Sequence, residues 1–133
     1  MVWTPASLAG VLSDTPALNI ETVNEIESLI IKMNDYGDLQ LNIVFTSHQL
    51  IIETYICPVR EINNQDEFNL FLLRNQKLLP LSSVGISLLQ GEEYYVAFGA
   101  LSLHSSLDDI LLEISALAEN AIDLAEITDE FTH

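Results

Sequence analysis

Residues 34–56, Asn34-Asp35-Tyr36-Gly37-Asp38-Leu39-Gln40-Leu41-Asn42-Ile43-Val44-Phe45-Thr46-Ser47-His48-Gln49-Leu50-Ile51-Ile52-Glu53-Thr54-Tyr55-Ile56, decide how the chain is read. The first five make a turn cluster, in which Asn34, Asp35, Gly37 and Asp38 readily leave the extended backbone. Leu39, Leu41, Ile43 and Phe45 then alternate with Gln40, Asn42 and Val44, the period of a strand with one buried face. Thr46-Ser47-His48 breaks the run, and Leu50 to Ile56 follows, rich in β-branched and aromatic residues. Two strands joined by a tight turn favour a third antiparallel neighbour before them. On its own, 18–33 is ambiguous. Ile26, Leu29, Ile30 and Met33 fit helical spacing, while Leu29, Ile31 and Met33 fit strand alternation. The hairpin tips the balance to a meander of 27–33, 39–46 and 49–57, with room for a shorter strand at 18–23.

Outward from this meander the signals are helical. Thr4-Pro5-Ala6-Ser7 starts a short helix, since Thr4 can cap it and Pro5 suits its first position. Leu8, Val11 and Leu12 share a face, and the element ends near Ser13, before Pro16. Asn64 with Glu67 three residues later opens a second helix in a capping-box-like arrangement. Phe68, Phe71 and Leu72 are its stripe, Leu78 and Leu79 its end, and Pro80 its stop. Strands are expected at 83–89 and, after Gln90-Gly91, at 92–101. Ser106 caps the last helix, 106–130. Its stripe is Leu107, Ile110, Leu111, Ile114, Leu117, Ala118, Ala121, Leu124 and Ala125. The order α-β-β-β-α-β-β-α predicts an α+β fold: an antiparallel sheet of about five strands with helices packed on one face.

The chain has 133 residues, 20 acids against 4 bases, and a formal charge of -16. Its length fits one domain spanning 1–133, and its hydrophobic share of 49% is enough for a core. Four cations do not make a phosphate-neutralising surface, so nucleic-acid binding is not expected, and docking on anionic lipid is opposed for the same reason. No stretch is apolar for long enough to span a membrane, so no direct insertion is expected. The start MVWTPASLAG lacks the basic residues of a secretory signal. A reducing cytoplasm is therefore expected, the alternative being a chain whose targeting segment has been removed.

Several segments carry a resemblance. Leu79-Pro80-Leu81-Ser82-Ser83, Tyr94-Tyr95-Val96-Ala97-Phe98-Gly99-Ala100-Leu101-Ser102, Ser105-Ser106-Leu107-Asp108-Asp109-Ile110 and Glu119-Asn120-Ala121-Ile122 are similar to the YjfI family of uncharacterised bacterial proteins. The likeness is strongest from 78 to 122, includes the Trp3 start, and is loose from 17 to 60. The family has no established activity, so the resemblance supplies no catalytic residue. It implies a neighbourhood with relatives of the phage-shock protein A, a coiled-coil membrane-remodelling family. The element order is also similar to that of type III secretion chaperones, which are small, acidic, cytoplasmic, dimeric proteins that hold segments of other proteins. That second likeness is architectural and carries no motif.

The residues that bear chemistry are scattered. His48, His104 and His133 lack metal-motif spacing, and the single Cys57 excludes a disulfide within the chain. His104, Ser105, Ser106, Asp108 and Asp109 hold the letters of a hydrolytic triad without the sharp turn that presents a nucleophile, and helix capping accounts for Ser106 and Asp109. Cys57 has only Arg60 as a nearby cation and reads as structural. Glu92-Glu93, Asp108-Asp109 and Asp129-Glu130 diverge along their elements rather than converge on a cation. Gly85 and Gly91 are isolated, and Gly99 marks a bulge or a close approach within a strand. No catalytic residue, cofactor or metal is therefore expected.

Concentrated acid remains. The last helix holds Asp108, Asp109, Glu113, Glu119, Asp123, Glu126, Asp129 and Glu130 and no base. Solubility is one account of this face. The other is a surface for a basic or amphipathic segment of a partner protein, with Leu112 and Ile127 as apolar anchors, or with those two as a homodimer seam. The expected site is Asp108, Asp109, Leu112, Glu113, Glu119, Asp123 and Ile127, in a non-enzymatic interaction or adaptor module. A phage-shock protein A relative is the partner that the resemblance suggests. A small-ligand binder or enzyme with a pocket between helix and sheet is the alternative, and a nucleic-acid mimic is a third reading.

Overall fold

A computed structural model describes residues 2–23 and 28–132. Ile26, Glu27 (the expected start of the second strand) and His133 lie outside the described residues. The fold is α1 (Pro5–Leu12), β1 (Leu18–Val23), β2 (Ser28–Met33), β3 (Leu39–Phe45), β4 (Gln49–Pro58), α2 (Gln65–Arg74), β5 (Ser83–Leu89), β6 (Glu92–Ser102) and α3 (Leu107–Asp129). The expected α+β fold is present. The short segment at 18–23 is a full strand, so the antiparallel sheet has six strands, in the order β1-β2-β3-β4-β6-β5.

Register follows from the alternation. Leu29 lies opposite Ile43, Ile43 opposite Ile52, and Ile52 opposite Gly99. One row thus runs across four strands on the face that bears the helices. Leu41, Leu50 and Ala97 lie on the same face and are fully buried. Helix α3 covers this face over β4 and β6 with Ile110, Ile114, Leu117, Ala121 and Leu124, while α1 closes the β1–β2 end through Leu8 and Leu12. Phe68 of α2 meets Tyr95 of β6 edge-on at 4.9 Å between ring centroids, which places α2 on the same face beside β6 and β5. Burying such a row is what holds a sheet to its register, because a one-residue slip would turn every apolar side chain to the other side.

The helix starts fall where the capping residues put them. Thr4, Asn64 and Ser106 each accept a backbone N–H from the third residue of the helix. The end of α2 differs from expectation. It stops at Arg74, because Asn75 leaves helical geometry and its side-chain amide donates to the Phe71 carbonyl at 2.7 Å. Leu78 then sits on a single 3₁₀ turn, Gln76–Leu78, and is exposed. The β5–β6 hairpin closes through Gln90 and Gly91, both at positive φ, as a tight two-residue turn requires.

Candidate functional site

Helix α3 is 23 residues long, or about 34 Å at the α-helical rise. At 100° per residue, Asp108, Leu112, Glu119, Asp123 and Glu126 fall on one side, with Asp109, Asp129 and Glu130 beside them. All eight are exposed. Leu112 is 58% exposed and Ile122, on the same side, 41%. The structure therefore brings together Asp108, Asp109, Leu112, Glu119 and Asp123 of the expected site on one open face.

Two of the expected residues are placed elsewhere. Ile127 is half-buried and packs against the core, since its position borders the apolar stripe. Ile122 is the second exposed apolar group instead. Glu113 points towards the sheet and is only 7% exposed. It fits there because position 99 is glycine: a Cβ at Gly99 would collide with the Glu113 carboxylate and come within 3.2 Å of the Leu81 carbonyl. Among the described residues the Glu113 Oε2 has no hydrogen-bond partner, and burial pushes the carboxyl group's pKa up. One turn pair further along, Asn120 donates to the Pro80 carbonyl and to the Ser82 hydroxyl, each at 2.9 Å. Glu113 and Asn120 thus face the loop before β5, where Leu81 holds a left-handed φ of 64°. The Trp3 indole donates to the Ser105 carbonyl at 2.7 Å, tying the N-terminus to the start of α3.

The other residues singled out for chemistry stay apart. His48 and His104 are exposed, and the Ser106 hydroxyl accepts the Asp109 N–H at 3.1 Å as a helix cap. Cys57 is half-buried at an irregularity of β4, and burial with Glu61 and Asp129 nearby pushes its thiol up, away from the reactive thiolate. Arg60 pairs with Glu92, not with Cys57. Among the described residues, no three His, Cys, Asp or Glu side chains approach one another as metal ligands would, and no helix is long and apolar enough to cross a membrane.

A second surface lies on α2, the loop after it and β5. Of the twelve large hydrophobics exposed among the described residues, eight lie between Leu70 and Leu89, on α2, the loop after it and β5. A cavity of about 290 Å³ opens here, lined by Leu72, Leu73, Val84 and Ile86. Its polar neighbours are already engaged. The Tyr95 hydroxyl donates to Asn69, and the Gln76 side chain bonds the backbone of Val84. A ligand entering it would meet apolar walls and few free polar groups to orient it. The sequence signal for this surface is an absence of charge. From Phe68 to Gly91 there is no acid, and two of the chain's four cations, Arg74 and Lys77, fall within it.

Fold and surfaces together define a small acidic α+β protein with helices on one face of an antiparallel sheet. Residues 2–132 match the family described as an uncharacterized protein conserved in bacteria (DUF2170), and the chain belongs to that family. It is 66% identical over 133 residues to the uncharacterized protein YjfI of Escherichia coli strain K12, and equally to that of Escherichia coli O157:H7, covering 100% of both chains in each case. The likeness read from 78–122 and Trp3 therefore extends along the whole length.

Proposed function

We propose that this protein is a non-enzymatic interaction module that docks a basic, amphipathic helical segment of another protein along the exposed side of α3. The observation that supports this reading is a seven-acid face without a base, into which Leu112 and Ile122 protrude ten residues apart. Acids speed the encounter and reject acidic partners; the two apolar side chains supply area that is lost from water on binding. Coiled-coil proteins present amphipathic helices, so phage-shock protein A relatives are the first candidates. The cytoplasm is the compartment in which the two would meet.

The test is affinity capture from the native host at low and at high salt, with mass spectrometry of what co-elutes. A stoichiometric partner is expected at low salt and should be lost at high salt, because exposed charge pairs are screened. A variant with Asp109, Glu119 and Asp123 changed to Lys should no longer retain it. A partner held equally by wild type and variant would overturn the reading.

A further inference from the structure

The two edges of the sheet are built differently. Edge strands expose unpaired N–H and C=O groups, and free-standing proteins guard them with charge, proline or irregular pairing. Strand β1 carries the exposed Glu21. Strand β5, Ser83-Val84-Gly85-Ile86-Ser87-Leu88-Leu89, carries no charge and no proline, and its register against β6 is regular throughout. Ile86 and Leu88 are exposed on it, Leu88 at 69%.

One side chain shows how this edge is used. The Gln76 amide donates to the Val84 carbonyl at 2.8 Å and accepts the Val84 N–H at 3.0 Å. This is the pair of bonds that a residue of a neighbouring strand would make. It fixes which groups face outward. Residues of an antiparallel strand alternate in the side to which they turn their backbone groups. Val84 turns its groups away from β6, so Ile86 and Leu88 do too. Gln76 closes the first of these three positions and, among the described residues, nothing closes the other two.

We propose that β5 is the self-association edge of this protein, pairing antiparallel with β5 of a second copy about a two-fold axis at Ser87. Ile86 of each copy then faces Leu88 of the other, the backbone groups of both are paired, and the two sheets join into one of twelve strands. Gln76 sets the register, because a shift that used Val84 would have to displace it. A second copy fits better than any other occupant for two reasons. The open length is two residues, which its own two-fold mate satisfies completely. The flanking patch, with Leu73 70% exposed on α2, is buried from both sides at once by an isologous contact. Charge agrees: two chains of -16 repel over most of their surfaces, and the acid-free stretch 68–91 is where they can approach.

Ser87 lies at a position not bonded across the axis, where opposed Cα atoms stand about 4.5 Å apart, within reach of a disulfide. In a Cys57→Ser background, Ser87→Cys should therefore form a covalent dimer under mild oxidation. It should do so about a hundredfold faster than Ser115→Cys on the exposed side of α3, because pairing raises the effective thiol concentration into the millimolar range. By light scattering the wild type should be a dimer at micromolar concentration, with a dimer fraction that rises with salt. Ile86→Lys should be a monomer with an unchanged far-ultraviolet spectrum. A wild-type monomer whose Ser87→Cys links no faster than Ser115→Cys would overturn the proposal, and would be the result for an edge kept for another protein's strand. A dimer that survives Ile86→Lys would overturn it as well.

Discussion

From Phe68 to Gly91 the surface is rich in exposed apolar side chains and free of acid, whereas the exposed side of α3 is acidic and free of base. The two also differ in how they are supported. The acidic face needs only that α3 stay helical and keep its other side on the sheet, which six buried aliphatic and alanine side chains ensure. The α2–β5 edge depends on particular contacts between elements: Phe68 on Tyr95, Gln76 on Val84, and Asn120 on the loop before β5. A surface carried by a periodic element tolerates change in the rest of the molecule. A surface assembled from a short helix, a loop and an edge strand does not.

The largest effect expected from this contrast is at Phe68, which is fully buried against Tyr95 and also packs on Phe131. Phe68→Ala should cost about 3–5 kcal/mol in urea denaturation through the cavity it leaves. If the folded fraction of this variant fails to self-associate yet still captures the α3 partner, the two surfaces are independent. Loss of both in equal measure would show that the contrast is only one of position.

Gly99→Ala comes next. The new methyl group would push Glu113 and the Leu81 carbonyl apart, at a cost of about 1–3 kcal/mol. The displaced loop leads directly into β5, so the edge should suffer before the acidic face. A larger loss of Ser87→Cys cross-linking than of partner capture is the outcome to measure.

The sequence made these regions unequally legible. Strands 39–45 and 49–58, the β5–β6 hairpin and α3 rest on local signals, namely period-two alternation, a turn pair and a capping serine, and all appear close to the expected bounds. Glu113 was misread because a carboxylate four residues after Asp109 looks like part of a charged face. That Gly99 leaves it room is a fact of the β4–β6 side of the sheet. Its position on the same flank as Asn120, seven residues on, was the available clue. Ile122 lies outside the apolar stripe, and at 100° per residue it falls on the side of Leu112, so the helical period alone marks it as exposed. Gln76 was unreadable, since its partner Val84 lies beyond a turn and a proline. The edge itself follows from strand order: β6 pairs with β4, and that leaves β5 outermost.

Glu113 joins the two regions, since it belongs to α3 but faces the loop before β5. Its folded pKa is raised, so the folded chain holds this proton more tightly than the unfolded chain does. The stability linked to it is present below the unfolded pKa and is lost as pH rises from there through the raised folded value. Glu113→Gln keeps the shape and removes the charge. It should raise stability at neutral pH and flatten that part of the pH profile. An unchanged profile would show that the carboxylate finds a partner in solution.

The smallest effect addresses what the acidic face is for. The last turn of α3 holds Glu126 and Asp129 and no base, although a helix C-terminus favours cations. Replacing both with Lys should therefore stabilise the protein by about 0.3–1 kcal/mol, read as a small rise in Tm at low salt. For a face that serves only solubility, the exchange is a gain without a loss. For a docking face the same exchange should weaken partner capture while Tm rises. The two measurements moving in opposite directions on one variant is a result that no global loss of structure can imitate, and it would separate a surface kept acidic for binding from one that is acidic only because it faces water.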